Sequence, residues 1–331
     1  MKPIAPSIQT LFSELAQQVA SAPRAGSVYV KQRDGIDYLY AKIPVGADRI
    51  DTFIGRTGDP EADADAKALG RGMELAKSRR RLVSILKREG LAAPYRKLGA
   101  TLHAIAHAGL FRAGAVVVGT AAYLMSEPLV GHFLPSPTLM TADLDLATID
   151  LALKAEPVER FEAILRRGDP TFAPVMQIDP RKPASRFMTA DGFQVDLVTS
   201  VRRRGDPNPM AMTELGAGAA PLQYVDWLIA EPVPTVALWG AGVQTNVPQP
   251  ARFAVHKLIL AQKRDAGTRP KRQKDLAQAD ALIEALLASD PFALEDALED
   301  AAARGRMGWA DPIARSLSEL GRSTSDLRKR Q

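Results

Sequence analysis

The sequence predicts an α+β protein in three parts: a small antiparallel sheet with a helix over residues 1–92, a core of short strands and helices over 93–250, and a helical bundle over 251–331. Three observations predict it. Residues 28–57 alternate aromatic or branched side chains with polar ones, the period-two signature of half-buried strands. Between 115 and 247, short apolar runs of the kind that fill buried strands are separated by helical stretches. Beyond Arg252 the pattern is helical and enriched in alanine. At 331 residues the chain exceeds what one hydrophobic core usually holds. A hydrophobic fraction of 46% and a charged fraction of 24% are those of a folded globular chain, which excludes wholesale disorder and fibrous architectures.

Taken in order, the strands of 28–57 are punctuated by Asp34-Gly35 and Gly46-Ala47, both turn signals. Asp59-Pro60 opens a helical stretch over 61–88, free of proline, that reads as one long amphipathic helix or a helical hairpin. A helix over 98–108 leads into the apolar run 115–118, which stops at Gly119-Thr120 and gives way to a short helix and then a loop over 131–137. Residues 142–147 alternate aspartate with leucine as a strand, 158–167 has helical spacing, and 194–198 is a buried strand carrying one acid. Two more strands are expected at 235–238 and 243–247, on either side of Gly240. Helices follow from Arg252, interrupted at Asp290-Pro291.

Composition narrows the function. The absence of cysteine excludes disulfides, thiolate zinc sites and thiol catalysis. Residues 1–19 are broken by prolines and polar side chains, so no signal peptide is expected, and no segment is apolar enough to span a bilayer. A cytoplasmic location is the expectation. A formal net charge of +5 suits polyanionic partners, and the basic residues cluster at 79–81, 202–204, 271–274 and 328–330, although any one such run is ordinarily a solvated surface.

The chemistry resides in the acids. On a strand, Asp143 and Asp145 project to one face while Leu144 and Leu146 project to the other. Two carboxylates held that close repel, and a half-buried setting strengthens the repulsion, so the pair calls for a cation. Mg²⁺ takes hard oxygen ligands and is commonly held by one or two carboxylates together with substrate phosphates. Asp196, at the centre of its own apolar strand, is the candidate third acid. A lone D-x-D is common on exposed strands, so the weight falls on the combination: an apolar strand ending in Gly119-Thr120, a helix, the D-x-D strand, and a later strand with a single aspartate.

That combination resembles the DNA polymerase β-like nucleotidyltransferase superfamily, in the residues Gly119-Thr120, Asp143-Leu144-Asp145 and Asp196. More narrowly, the segments GTAAYL, TADLDLA, VDLVTS and PARFAVHKLILAQKR within 114–274 resemble bacterial nucleotidyltransferase-domain proteins related to abortive-infection and toxin–antitoxin enzymes. The resemblance covers about half the chain. It implies a mixed β-sheet flanked by helices and metal-dependent transfer of a nucleoside monophosphate from an NTP to a hydroxyl on RNA such as tRNA, a protein or a small molecule. The implied cofactor is Mg²⁺ or Mn²⁺ in a two-metal mechanism, with Asp143, Asp145 and Asp196 both catalytic and metal-binding. Gly119 and Thr120 would bind the nucleotide at a helix N-terminus, and Lys257 would contact the β- or γ-phosphate. Thr120 stands where the family usually has serine, and the interval from Gly119 to Asp143 exceeds that of the shortest members.

Other residues carry a weaker signal. His103 and His107 share a helix face without a third ligand, so a structural role is expected for both and for His256. Tyr224, Trp227 and Trp239 suit base stacking or, more commonly, the core. Lys271, Arg272, Lys274 and Asp275 begin a helix as a solvated start or as a phosphate contact. Two competing functions follow from the same features: a nucleic-acid- or partner-binding module on an inactive nucleotidyltransferase fold, and a D-x-D glycosyltransferase.

Overall fold

The computed structural model describes residues 1–136, 143–148, 159–177, 179, 181–201 and 208–327. The basic runs at 202–204 and 328–330 lie outside these residues, as do positions 137, 142 and 158 at the edges of three expected elements. Strands β1 (Ser27–Arg33), β2 (Ile36–Val45) and β3 (Asp48–Arg56) form the expected antiparallel sheet. Its first turn is the two-residue Asp34-Gly35, both at positive φ, the geometry that matches strand twist.

Helix α1 (Pro6–Ala20) precedes the sheet, and the sequence reading does not anticipate it. Its buried Phe12, Leu15 and Val19 recur at helical spacing, and Pro6 stands in the first turn, where a missing N–H is harmless. Helix α2 (Pro60–Arg88) is a single 29-residue helix, not a hairpin, capped by the Asp59 side chain accepting from Glu61 N. Together α1 and α2 bury Leu15, Val83 and Leu86 against Val236 and Leu238.

Helix α3 (Arg96–His107) leads into β4 (Val116–Val118), α4 (Gly119–Met125), α5 (Glu127–Val130) and β5 (Asp143–Ala147). Helix α6 (Phe161–Arg166) precedes β6 (Ala173–Pro174), β7 (Arg186–Met188) and β8 (Gln194–Ser200). Then come β9 (Met210–Met212), β10 (Ala217–Leu222) and α7 (Val225–Leu228). Among the described residues these strands build one seven-stranded mixed sheet, with β4-β5-β8-β10-β9 in order and the β6–β7 pair joined to it through β8. The outer edge of β8 is shared: β7 pairs antiparallel with its first half and β10 parallel with its second.

Strands β11 (Pro232–Ala237) and β12 (Val243–Pro248) pair with each other in a separate hairpin. After them come α8 (Pro250–Lys263), α9 (Arg269–Ser289), α10 (Pro291–Ala303), α11 (Asp311–Glu319) and the short α12 (Thr324–Leu327). Helix α8 is buried nearly all round, Arg252, His256 and Lys257 included, and packs against α7 and the other C-terminal helices. Among the described residues no helix is long and apolar enough to cross a membrane.

Candidate active site

Strand alternation sorts the two central strands into an apolar and an acidic face. Leu144, Leu146, Val195 and Leu197 are buried in the core, so Asp143, Asp145 and Asp196 are turned the other way. Strands β5 and β8 run parallel with Asp145 directly opposite Asp196. Partners on neighbouring strands share a face, which places the two carboxyl groups side by side. The row continues outward on both flanks: Val118 of β4 is paired with Asp145, and Arg186 of β7 with Asp196. Arg186 makes a two-pronged ion pair to Asp196, with Nε to Oδ1 and Nη2 to Oδ2 both at 2.7 Å. This planar match is the strong form of a charge-assisted hydrogen bond.

Asp145 bears the electrostatic cost of this row. Burial first, then the neighbouring Asp196 and Asp143, push its carboxyl up to about 6, against the opposing pull of Lys257 and Arg186. Arg186 is held above the usual guanidinium value, chiefly by its bond to Asp196.

Six sequence-predicted residues, Gly119, Thr120, Asp143, Asp145, Asp196 and Lys257, line one cavity of about 550 Å³. At Gly119 the backbone has φ 68°, and a Cβ there would collide with Asp145 Oδ2. Glycine is therefore required twice over, by the left-handed turn and by the close approach of the β4–α4 corner to the acid. Helix α4 has only seven residues, so backbone amides rather than a long helix dipole are what this corner offers an anion. A smaller apolar pocket of about 140 Å³ adjoins the cavity, lined by Tyr95, Leu98 and Leu124 and sharing Thr120 and Asp143 with it. Burial, then Asp143, pushes the Tyr95 phenol up to about 12.

The opposite wall is basic and comes from α8 and α9. Lys257 is buried, with Nζ 2.7 Å from Asp275 Oδ1, and Arg264 Nε donates to the other oxygen of Asp275 at 2.9 Å. The sequence places Asp275 at a helix start, either solvated or near a phosphate contact. It is instead 2% exposed, because α9 begins six residues earlier at Arg269 and carries this acid more than a turn inside. Lys263, Lys271 and Lys274 line the same wall. Burial and the nearby Lys257 hold Lys274 below the usual lysine value.

The remaining candidates divide plainly. His103 Nδ1 accepts from Gly46 N at 2.9 Å and lies away from this cavity, as does His107. His256 lines the cavity and is buried, and desolvation and Lys257 pull its imidazole down to about 3, so it is neutral. Trp227 is fully buried, with Nε1 donating to Asp300, and Trp239 packs over Gly99; both belong to packing. Tyr224 lines the cavity, its ring 4.7 Å from Trp309. Arg272 pairs with Glu319.

Sequence reasoning missed Arg186, although a signal existed. Asp191-Gly192 is a turn dipeptide like Asp34-Gly35, but here it sits in a three-residue loop, 190–192, closed by Thr189 and Phe193, and that register sets Arg186 opposite Asp196.

The donor chemistry suits a hard divalent cation: three carboxylates share one face, and one is raised by burial and then by its neighbouring carboxylates. Among the described residues no three His, Asp or Glu side chains are drawn together as a complete metal-ligand group. A family model described as a nucleotidyltransferase matches residues 96–303, which takes in β4, β5, β8 and the basic wall. No curated protein and no solved structure matches the chain.

Proposed function

The chain belongs to the nucleotidyltransferase family, and from that we propose that Asp143, Asp145 and Asp196 are the acidic centre of nucleoside-monophosphate transfer from an NTP to a hydroxyl group. The observation that carries this reading is the register setting Asp145 beside Asp196 on the cavity face of the sheet. A carboxyl raised to about 6 beside a second carboxylate favours a divalent cation as its partner.

Bound Mg²⁺ or Mn²⁺, in the two-cation arrangement the resemblance implies, would neutralise the triphosphate and acidify the attacking hydroxyl. Asp143 and Asp145 would hold the cofactor, and Asp196 would orient the acceptor hydroxyl and take its proton. Arg186 holds both oxygens of Asp196 and would yield them as the cation and acceptor bind. The amides of Gly119 and Thr120, with the Thr120 hydroxyl, receive triphosphate oxygens beside Asp145. Lys263, Lys271 and Lys274 face the pyrophosphate leaving group. Lys257, held by Asp275, supplies a fixed positive field near Asp145 and a contact to the β- or γ-phosphate. The apolar pocket touching Thr120 and Asp143 suits a planar base. On this reading the catalytic unit is 93–250, and the helices of 251–331 close the cavity.

The acceptor on this account is RNA such as tRNA, in keeping with the net charge of +5. The test is incubation of the protein with each α-labelled NTP, Mg²⁺ or Mn²⁺, and separate RNA and protein fractions. Label is expected in an RNA band with the wild type and in none with Asp145→Ala. Labelling of a protein band instead would reassign the acceptor, and equal labelling by Asp145→Ala would overturn the site.

A further inference from the structure

A second cavity, of about 610 Å³, lies where the β2–β3 turn, α2, α3 and the β11–β12 turn meet, away from the acidic site. Arg24, Arg79, Arg80, Arg112 and Arg167 line it, and none of the described residues lining it is acidic. Arg167 pairs with Glu159 at 2.7 Å, whereas among the described residues the other four have no carboxylate partner. Arg79 is 6% exposed, and its Nε donates to the Ala241 carbonyl at 3.2 Å. A guanidinium buried without a counter-anion is costly, whereas one that completes an anion site is not.

The seam is also built rigidly. A Cβ on Gly46, at φ 60°, would strike the Arg167 carbonyl, and Ala47 N donates to that same carbonyl at 3.0 Å. Because His103 Nδ1 accepts from Gly46, its neutral ring carries the proton on Nε2, a further donor beside the arginines.

We propose that this seam is a second anion site, separate from the acidic cavity, which takes the phosphoryl groups of a polyphosphate or of a nucleic-acid backbone. Buried Arg79 forms its floor, and the exposed Arg24, Arg80 and Arg112 form a rim that draws the polyanion in. Burial, and then Arg167, Arg24 and Arg112, hold His107 below the ordinary imidazole value, so the rim itself carries a reporter of its own positive field.

The test titrates His107, assigned with His107→Gln, by proton–carbon NMR of the full chain with sodium tripolyphosphate and, separately, with a single-stranded RNA 12-mer. Either polyanion is expected to move the His107 midpoint upward. In the Arg24→Ala/Arg112→Ala double variant, affinity is expected to fall about tenfold or more. Both side chains are exposed, so thermal unfolding of the double variant is expected to match the wild type. A response to tripolyphosphate assigns the site to free polyphosphate as well as chain phosphates; a response to RNA alone restricts it to the backbone. If neither ligand moves His107, or the double variant binds as tightly as the wild type, the proposal is overturned. The readout does not depend on NTP turnover, so it stands or falls separately from the catalytic reading.

Discussion

Two charged groups face each other across one cavity and are organised in opposite ways. On α8 and α9, Lys257 and Arg264 enclose Asp275, so opposite charges satisfy one another. On β5 and β8, Asp145 stands beside Asp196 with Asp143 two residues away, and like charges are crowded together, Arg186 pairing with Asp196 but not with Asp145. Compensated charge inside a protein holds structure, whereas uncompensated charge is retained where a ligand supplies the missing sign. The arginine seam repeats the second arrangement with the sign reversed.

The comparison breaks most sharply at Asp145. Asp145→Ala is expected to lower NMP transfer by at least about 10³-fold, roughly 4 kcal/mol of transition-state stabilisation, measured as label transferred per unit time. If the variant keeps its rate, the acidic row is structural and the contrast disappears. Asp275→Ala attacks the compensated side, leaving Lys257 buried and unpaired, and is expected to cost about 3 kcal/mol of stability in urea denaturation. An unchanged midpoint would mean that Lys257 was never neutralised by that partner.

The sign of a third effect separates the two groups. The Asp145 carboxyl lies near 6 in the folded chain and near the ordinary aspartate value when unfolded, so the folded state binds its proton more tightly. This stabilising proton is lost as the pH rises from about 4 through 6, and above that window the ionised group destabilises the metal-free protein by about 3 kcal/mol. Asp145→Asn should therefore raise the unfolding free energy by that amount at pH 8 and leave it unchanged at pH 3.5. A destabilised variant at pH 8 would show that the charge is compensated after all. The smallest effect is expected at Arg186, which competes with any cation for Asp196. Arg186→Gln should tighten apparent Mg²⁺ affinity severalfold, about 1 kcal/mol, and weaker Mg²⁺ binding would instead make Arg186 an organiser of the site.

What was legible in the sequence follows from how local the determinants are. The alternation DLDLA places Asp143 and Asp145 on one face without reference to any other part of the chain, and VDLV does the same for Asp196. Asp34-Gly35 declares its hairpin equally locally. The pairing of Lys257 with Asp275 joins residues 18 apart on two helices and depends on where α9 begins, which no cap signals, since Thr268 makes no side-chain cap bond. The arginine seam draws on positions from 24 to 242 and is invisible until the chain is folded. Helix α1 was hidden because Ser, Gln and Glu on its outer face dilute the three core positions.

The most direct measurement is calorimetric titration of Mn²⁺ into the protein saturated with a non-hydrolysable NTP analogue, comparing wild type with Asp145→Asn. Joint coordination by the acids and the triphosphate predicts saturable binding in the wild type that weakens at least about tenfold in the variant. Equal Mn²⁺ affinity in the two proteins would contradict the assignment of the β5–β8 carboxylates as the cation site.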